Sequence, residues 1–266
     1  MRGGIGRCVR LIAVLLLAIG PLAACDEPFR PPEVDRAAVA AASREIAATS
    51  VPRPVTRPRE EEVAMLRRVA ERVAAAAQPF CRQELRRDCR FDVVLAEAGP
   101  ANAYASGRDR ITVTAAMLRL IANDDELAAI MAHEMAHHIL GHIGETGTRM
   151  QIGALIGSVL GGVVADLTGV DLGFRRLGAQ AGAYAGDIGF SKAQEREADY
   201  LGAWIASRAG FDLDRAGAIW AKLTHLSRSR ETSILDSHPA GPERLALWRR
   251  TMDQIARDPA RGPRRG

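Results

Sequence analysis

The chain has 266 residues, 47% of them apolar and 26% charged, with a formal charge of +4 and a pI near 9.2, ordinary globular material long enough to bury one core with helical appendages. Several of the basic residues sit at the ends, Arg2, Arg7 and Arg10 at the start and Arg257, Arg261, Arg264 and Arg265 at the finish. Only 5% of residues are Phe, Tyr or Trp, so no row of aromatics lies between cations for bases to stack on, and nucleic acid is not expected as a partner.

The N-terminus reads as an export signal over residues 1–24. "MRGGIGRCVR" supplies a basic start, "LIAVLLLAIG" an apolar run and "PLAAC" a small-residue cleavage site, which is shorter than the roughly 20 residues a spanning helix needs. "LAAC" resembles a bacterial lipobox, so lipidation of Cys25 is expected, with ordinary cleavage beside an incidental cysteine as the alternative. The implied location is the periplasmic side of a bacterial membrane, lipid-anchored, with inner or outer membrane left open. Cys8 then lies in the discarded segment, and Cys81 and Cys89 remain as an even pair in an oxidising compartment. A disulfide between them is expected. Two free thiols are the alternative, and a metal-binding pair fits worse because the spacing is eight and no histidine lies nearby.

Residues 25–59 carry two proline-rich stretches, "DEPFRPPEVD" and "SVPRPVTRPRE", around a short Ala-rich helix near Val34 to Ala48. Proline fixes φ and removes a donor, so this segment is read as an extended tether. The folded domain is placed at residues 60–250. It opens with "EEEVAMLRRVAERVAAAAQPF", whose Val63, Leu66, Val69, Ala70 and Val73 recur at helical intervals behind three acids that suit a helix N-terminus. "FDVVLAE" and "RITVT" read as strands bounded by turn residues, and Thr114 to Ile121 as a helix. "NDDE" offers an N-cap at Asn123 with Glu126 three residues on, a capping-box spacing.

The helix that follows contains "IMAHEMAHHILGH", four of the six histidines around one glutamate. His133 and His137 are about 400° apart on a helical wheel, so they project from one face within about 40° of each other, one turn of rise apart. Two imidazoles so placed can grip one ion. Glu134, about 100° from His133, can reach a water on that ion but is badly placed to be a third ligand beside both histidines. This is the H-E-x-x-H arrangement, in which zinc acidifies water and the glutamate accepts its proton. His138 and His142 share the i, i+4 spacing without a base between them, Gly141 points to the helix ending there, and both are read as bystanders. His225 reads as a partly exposed surface histidine.

Residues 151–188 are read as a glycine-rich helical hairpin. "IGALIGSVLGGVVADLTGV" is apolar for about fifteen residues until Asp166, with Gly153, Gly157 and Gly161 four apart, a pattern that permits close helix packing. The run falls short of a span, so the hairpin is expected to pack over the active-site helices or to lie at the membrane surface, insertion being the alternative. In "FSKAQEREADYLGAWIASRAG", Ser191 and Gln194 have the capping-box spacing for a further helix. Glu195 and Asp199 face one way on it and Glu197 lies about 200° round from Glu195. One carboxylate on the metal and the other fixing an imidazole tautomer is one reading of the pair; a solvated acidic face is the other. The tail, residues 251–266, lacks apolar periodicity and is read as disordered and basic.

"NAYASGRDRITVTAAMLRLIANDDELAAIMAHEMAHHILGH", "FSKAQEREADYLG" and "SHPAGPERL" resemble, in order, the three blocks of the M48 family of zinc metallopeptidases, the HtpX-like group, and specifically its bacterial periplasmic lipoprotein members. The resemblance runs from about Glu60 to Arg250 and departs only locally, with Lys192 where the family usually has Arg. It implies a mainly α fold with a small β-sheet, a zincin-like domain of the gluzincin type with the H-E-x-x-H helix at its centre. It implies one zinc per chain on His133, His137 and Glu195, with Glu134 as general base, Asp199 partnering a ligand histidine and Arg244 anchoring its loop by a salt bridge. His238 would stabilise the oxyanion or close over the metal. Asn102, Ala103 and Tyr104 would lie on the strand that receives an extended peptide. The implied activity is endopeptidase cleavage of polypeptides, misfolded or misassembled envelope proteins in quality control. The alternative is a zinc-bound but latent assembly factor or chaperone, with His238 closing the site. A lipid-anchored structural protein with incidental histidines would make Glu195, Asp199 and His238 all coincidences.

Overall fold

The computed structural model describes residues 29–50, 53–168, 173–186, 189–227, 238 and 241–266; the export signal and Cys25 lie outside them. Helix α1 spans Arg36–Ala48 and α2 Arg59–Phe80, after which a π-helical turn, Cys81–Leu85, leads to β1 (Asp92–Ala96), β2 (Ala103–Ser106) and β3 (Arg110–Thr114). Then follow α3 (Ala115–Leu120), α4 (Asp124–Ile139), α5 (His142–Thr168), α6 (Phe174–Gly186), α7 (Lys192–Arg208), α8 (Leu213–Ser227) and α9 (Pro242–Arg257). The fold is mainly α with one small sheet of order β1-β3-β2, β1 parallel and β2 antiparallel to β3. Ile111 and Val113 of the central strand are fully buried, and β2 is an outer strand among the described strands.

Helix α4 is the centre of the molecule because it is apolar on nearly every side, and such a helix has to be surrounded. Every residue from Glu126 to Ile139 is buried, with α2, α7, α8 and the sheet packed around it. The Asn123 side chain caps it by accepting from Glu126 N at 3.0 Å. The Glu126 carboxylate does not complete the box; it accepts from Ala122 N at 2.8 Å and pairs with Lys222 at 2.7 Å. The stripe on α2 is carried by Leu66, Val69, Ala70 and Val73, while Val63 stays exposed.

A disulfide joins Cys81 to Cys89 across a separation of eight residues and ties the end of α2 to the approach to β1. Opening a loop that short removes a constraint on the unfolded chain worth about 2–3 kcal/mol. Cys81→Ser combined with Cys89→Ser should lower the unfolding free energy by that amount in urea titrations, and a reductant should do the same to the parent chain.

Three readings of the sequence are corrected by packing. The segment from Phe29 is not a free tether: Phe29 is 1% exposed, its ring meets Phe80 edge-on, and Ala42 and Ile46 of α1 are buried against the core. Prolines leave the backbone extended there, but the apolar side chains between them find a pocket. The tail is not loose either, since α9 buries Thr251 and Ile255, Arg30 N donates to Arg264 O at 2.9 Å, and Arg264 N donates to Tyr200 Oη at 2.8 Å. The apolar run on α5 is part of a hairpin with α6, yet the two helices pack chiefly on each other rather than over the active-site helices. A Cβ on Gly161 would meet Phe174 O, and one on Gly178 would meet Gly157 O, so small residues fill the seam. The large side chains, Ile152, Leu155, Ile156, Val159 and Leu160 among them, consequently face outward. Among the described residues one helix, His142–Ala165, is long and apolar enough to cross a membrane by length and composition.

Candidate metal centre

His133 and His137 on α4 face α7, whose start is fixed by a complete capping box: Gln194 N donates to Ser191 Oγ and Ser191 N to Gln194 Oε1. The two helices come unusually close at Gly202, where a Cβ would lie 3.1 Å from His133 N and 3.2 Å from His133 Cα. Glycine at that position is what lets Glu195 and Asp199, on the preceding turns, reach the histidines of α4.

Four side chains converge. His133 Nε2 is 3.1 Å from His137 Nε2 and 3.2 Å from His238 Nδ1, and His238 Nδ1 is 2.8 Å from Glu195 Oε1. Glu195 also approaches His137 Nε2 at 3.4 Å and His133 Nε2 at 3.5 Å. One ligand atom from each of the four lies within 4.8 Å of all the others, and all four residues are buried. His133 Nδ1 donates to Asp199 Oδ1 at 3.0 Å, which leaves its Nε2 facing into the cluster. Imidazole lone pairs and a carboxylate packed together out of water repel unless a cation is shared between them, and a nitrogen-rich set with one carboxylate suits zinc.

Arg244 offsets the carboxylate charges around this set. Arg244 donates to both oxygens of Asp199, from Nε at 2.8 Å and Nη2 at 2.7 Å, and its Nη1 stands 3.1 Å from Glu195 Oε2 while the guanidinium lies 4.4 Å over the Trp220 ring. Burial opposes charge on every member. On Asp199 and Glu195 the Arg244 charge overcomes that penalty, holding Asp199 below and Glu195 well below the usual carboxylate range. Burial likewise works against a proton on His133, but Glu195 and Asp199 push it up to about 9, whereas His137 is held neutral by burial, well below its ordinary value.

Glu134 has two unlike oxygens. Oε2 accepts from Ala105 N at 2.9 Å, so β2 borders the cluster. Oε1 is buried, without a hydrogen-bond partner among the described residues, and lies 3.7 Å from His238 Nε2, which also lacks one. In the register with β3, Ala103 pairs with Val113 and is fully buried, and Tyr104 pairs with Thr112 with its side chain 38% exposed. Asn102 exchanges hydrogen bonds with Thr114, and its Oδ1 is buried without a partner among the described residues.

His142, read as a bystander, and Glu197 lie beside the cluster. His142 Nδ1 is 3.0 Å from His137 Nδ1, and His142 Nε2 is 3.3 Å from Glu197 Oε2, all buried. The helix end expected at Gly141 is there, α4 stopping at Leu140 and Gly141 turning the chain with φ +76, and the turn brings His142 to His137. A continued helix would have carried His142 about 140° away from His137. Gly141→Ala has open space for its methyl group, so its cost is the left-handed backbone alone, about 1–2 kcal/mol in denaturant unfolding. Phe190, which no pattern singled out, stacks on His137 with centroids 3.8 Å apart. Its one signal was its place directly before the Ser191 cap. His138 lies outside the four-residue cluster, its Nε2 donating to Arg110 O at 3.0 Å, and the partly exposed His225 meets Ile46 O.

Residues 60–251 match the model of peptidase family M48. The chain is similar to the beta-barrel assembly-enhancing protease of Escherichia coli, 31% identical over 170 residues that make up 62% of this chain and 35% of that protein. It is 29% identical over 153 residues to the mitochondrial metalloendopeptidase OMA1 of Saccharomyces cerevisiae, covering 54% of this chain and 41% of the relative. With metalloprotease LoiP of Escherichia coli it shares 29% identity over 159 residues, 58% of this chain and 60% of the relative. The chain thus spans from about a third to three fifths of the length of the relatives it matches.

Proposed function

The chain belongs to peptidase family M48, and from that premise we propose that it is a zinc-dependent endopeptidase with one zinc on His133, His137 and Glu195. The observation that carries the reading is the buried convergence of these donors with His238, all within 4.8 Å of one another. Zinc held there supplies a Lewis acid that acidifies water and polarises a peptide carbonyl. Everything else falls to the chain's own side chains. Ala105 N–H pins Glu134 Oε2, which leaves Oε1 to accept a proton from the attacking water and return it to the departing amine. Asp199 holds the His133 tautomer, and Arg244 holds Asp199. β2, an outer strand among the described strands, with Asn102, Ala103 and Tyr104 on or beside it, is the strand against which an extended substrate would pair.

We further infer that the substrates are misfolded or misassembled envelope polypeptides and that the protein works on the periplasmic side of a bacterial membrane, anchored at Cys25. The export-type start, the disulfide and a relative named for β-barrel assembly support this. The outward apolar face of α5 is consistent with a membrane neighbour.

A second reading has its own observation. His238 Nδ1, within 3.2 Å of His133 Nε2 and 2.8 Å of Glu195, stands where a fourth ligand would, and such a donor makes a latent, zinc-loaded assembly factor. The test is zinc per molecule together with cleavage of an unfolded outer-membrane β-barrel protein by the purified chain and its Glu134→Gln variant. A chain that carries no zinc overturns the proposal; zinc without cleavage by either form favours latency.

A further inference from the structure

The chemistry above uses His133, His137, Glu195, Glu134, Asp199, Arg244 and His238, and leaves one buried polar pair beside the centre without a task. His142 is 2% exposed and Glu197 5%, and nothing in the hydrolysis requires either. Their alignment is specific. His137 turns Nε2 toward His133 and Glu195, and its other nitrogen, Nδ1, is 3.0 Å from His142 Nδ1. On the far side of the same ring, His142 Nε2 reaches Glu197 Oε2 at 3.3 Å.

We infer that His142 and Glu197 are positioning residues for the metal, a two-member relay that fixes the tautomer and orientation of His137. The inference rests on the reading of the cluster as a zinc site. One proton assignment satisfies every atom in the row. The Glu197 carboxylate, an acceptor only, takes the Nε2–H of His142; His142 Nδ1 is thereby an acceptor and takes the Nδ1–H of His137; His137 Nε2 is left with its lone pair aimed into the cluster. The reverse tautomer of His137 would place a proton on Nε2, facing His133 Nε2 at 3.1 Å, and would leave two lone pairs opposed at the His142 contact. His133 has its carboxylate partner directly, through Asp199; His137 has one at a distance, with an imidazole interposed. A space-filling histidine would explain the burial of His142 but not the nitrogen-to-nitrogen contact, nor the placing of a carboxylate behind it.

The arrangement depends on two local features. The turn at Gly141 brings His142 back toward His137, and Glu197, two residues beyond Glu195 and about 200° round the helix from it, meets His142 there. Both ligand histidines of α4 therefore receive their outer partner from the same short stretch of α7, which places Glu195, Glu197 and Asp199 at alternate positions.

The test compares the full chain with His142→Phe, which keeps a ring and removes both nitrogens, and with Glu197→Gln, which keeps an acceptor oxygen and removes the charge. Zinc affinity is measured by competition with a chromogenic chelator. The expected loss is about 10–100-fold for His142→Phe and on the order of tenfold or less for Glu197→Gln. The readout that a merely structural role would not move is proton NMR of the cobalt(II)-loaded protein. Solvent-exchangeable, paramagnetically shifted ring N–H signals of His133 and His137 should both appear in the parent, and His142→Phe should lose or shift the His137 signal alone. If His142→Phe fails to fold, as judged by metal-free unfolding, the nearly isosteric Glu197→Gln carries the comparison through its affinity and its shifted His137 signal. The inference is overturned by variants that bind zinc as tightly as the parent, or by a His137 signal unchanged when affinity falls. A parent chain that binds neither zinc nor cobalt removes the metal reading itself, an outcome distinct from the failure of the relay alone.

Discussion

Glu134→Gln should retain zinc at the level of the parent and lose peptide hydrolysis by about 10²–10⁴-fold, the range a positioned general base supplies. The amide oxygen of glutamine can still accept from Ala105 N–H, so the local fold and the edge of β2 should be undisturbed. Glu134 lies outside the four-donor cluster, so the donors that hold the ion are untouched. What disappears is the ability of Oε1 to take up a proton, and only that. Cleavage of an unfolded polypeptide, scored beside metal content by atomic absorption, separates the possibilities. Equal cleavage by parent and variant would remove Glu134 from the chemistry; loss of zinc in the variant would mean that the glutamate helps hold the ion.

The second large effect is on stability. Arg244→Met should lower the unfolding free energy by about 3–5 kcal/mol, the usual cost of removing one partner from a buried ion pair. Methionine matches the aliphatic stem but offers no charge. Asp199 would lose two donors, at 2.7 and 2.8 Å, Glu195 its cation at 3.1 Å, and the Trp220 face the guanidinium above it. Two carboxylates would then share a dry site without the guanidinium that balances them. Added zinc should restore part of the loss, because it binds only the folded chain and returns positive charge to the same place. Urea titrations with and without zinc measure both quantities, and a change below about 1 kcal/mol in the metal-free chain would show that water relieves the carboxylates.

The sequence made the centre legible where periodicity alone decides geometry. His133, Glu134 and His137 lie on one uninterrupted helix, so a wheel places them correctly, and Glu195 and Asp199 are four apart on another, so they share a face. The helix–strand–helix order and the caps at Asn123 and Ser191 were legible for the same local reason. Legibility ended where the chain breaks its period. His142 lies beyond a left-handed turn at Gly141, which no wheel carries through, and so its contact with His137 was invisible. Glu197 looked misplaced because a wheel reports direction around one helix and says nothing of what a second helix presents on its other flank. Residues 29–50 were misread because proline and alanine content describes backbone preference, whereas the ordering of that segment comes from Phe29, Ala42 and Ile46 meeting distant surfaces. The same holds for the tail, where Arg264 N finds the Tyr200 hydroxyl 64 positions away.

The burial of Phe29 sets the reach of whatever precedes it. Only three residues separate it from Cys25, and even fully stretched the four steps between them extend about 14 Å, less than half the thickness of a bilayer's hydrocarbon layer. An acyl group on Cys25 would leave the enzyme no leash on which to stand off. The body would ride against the headgroups like a boat on a short mooring, and its substrates would have to come to it at the lipid surface.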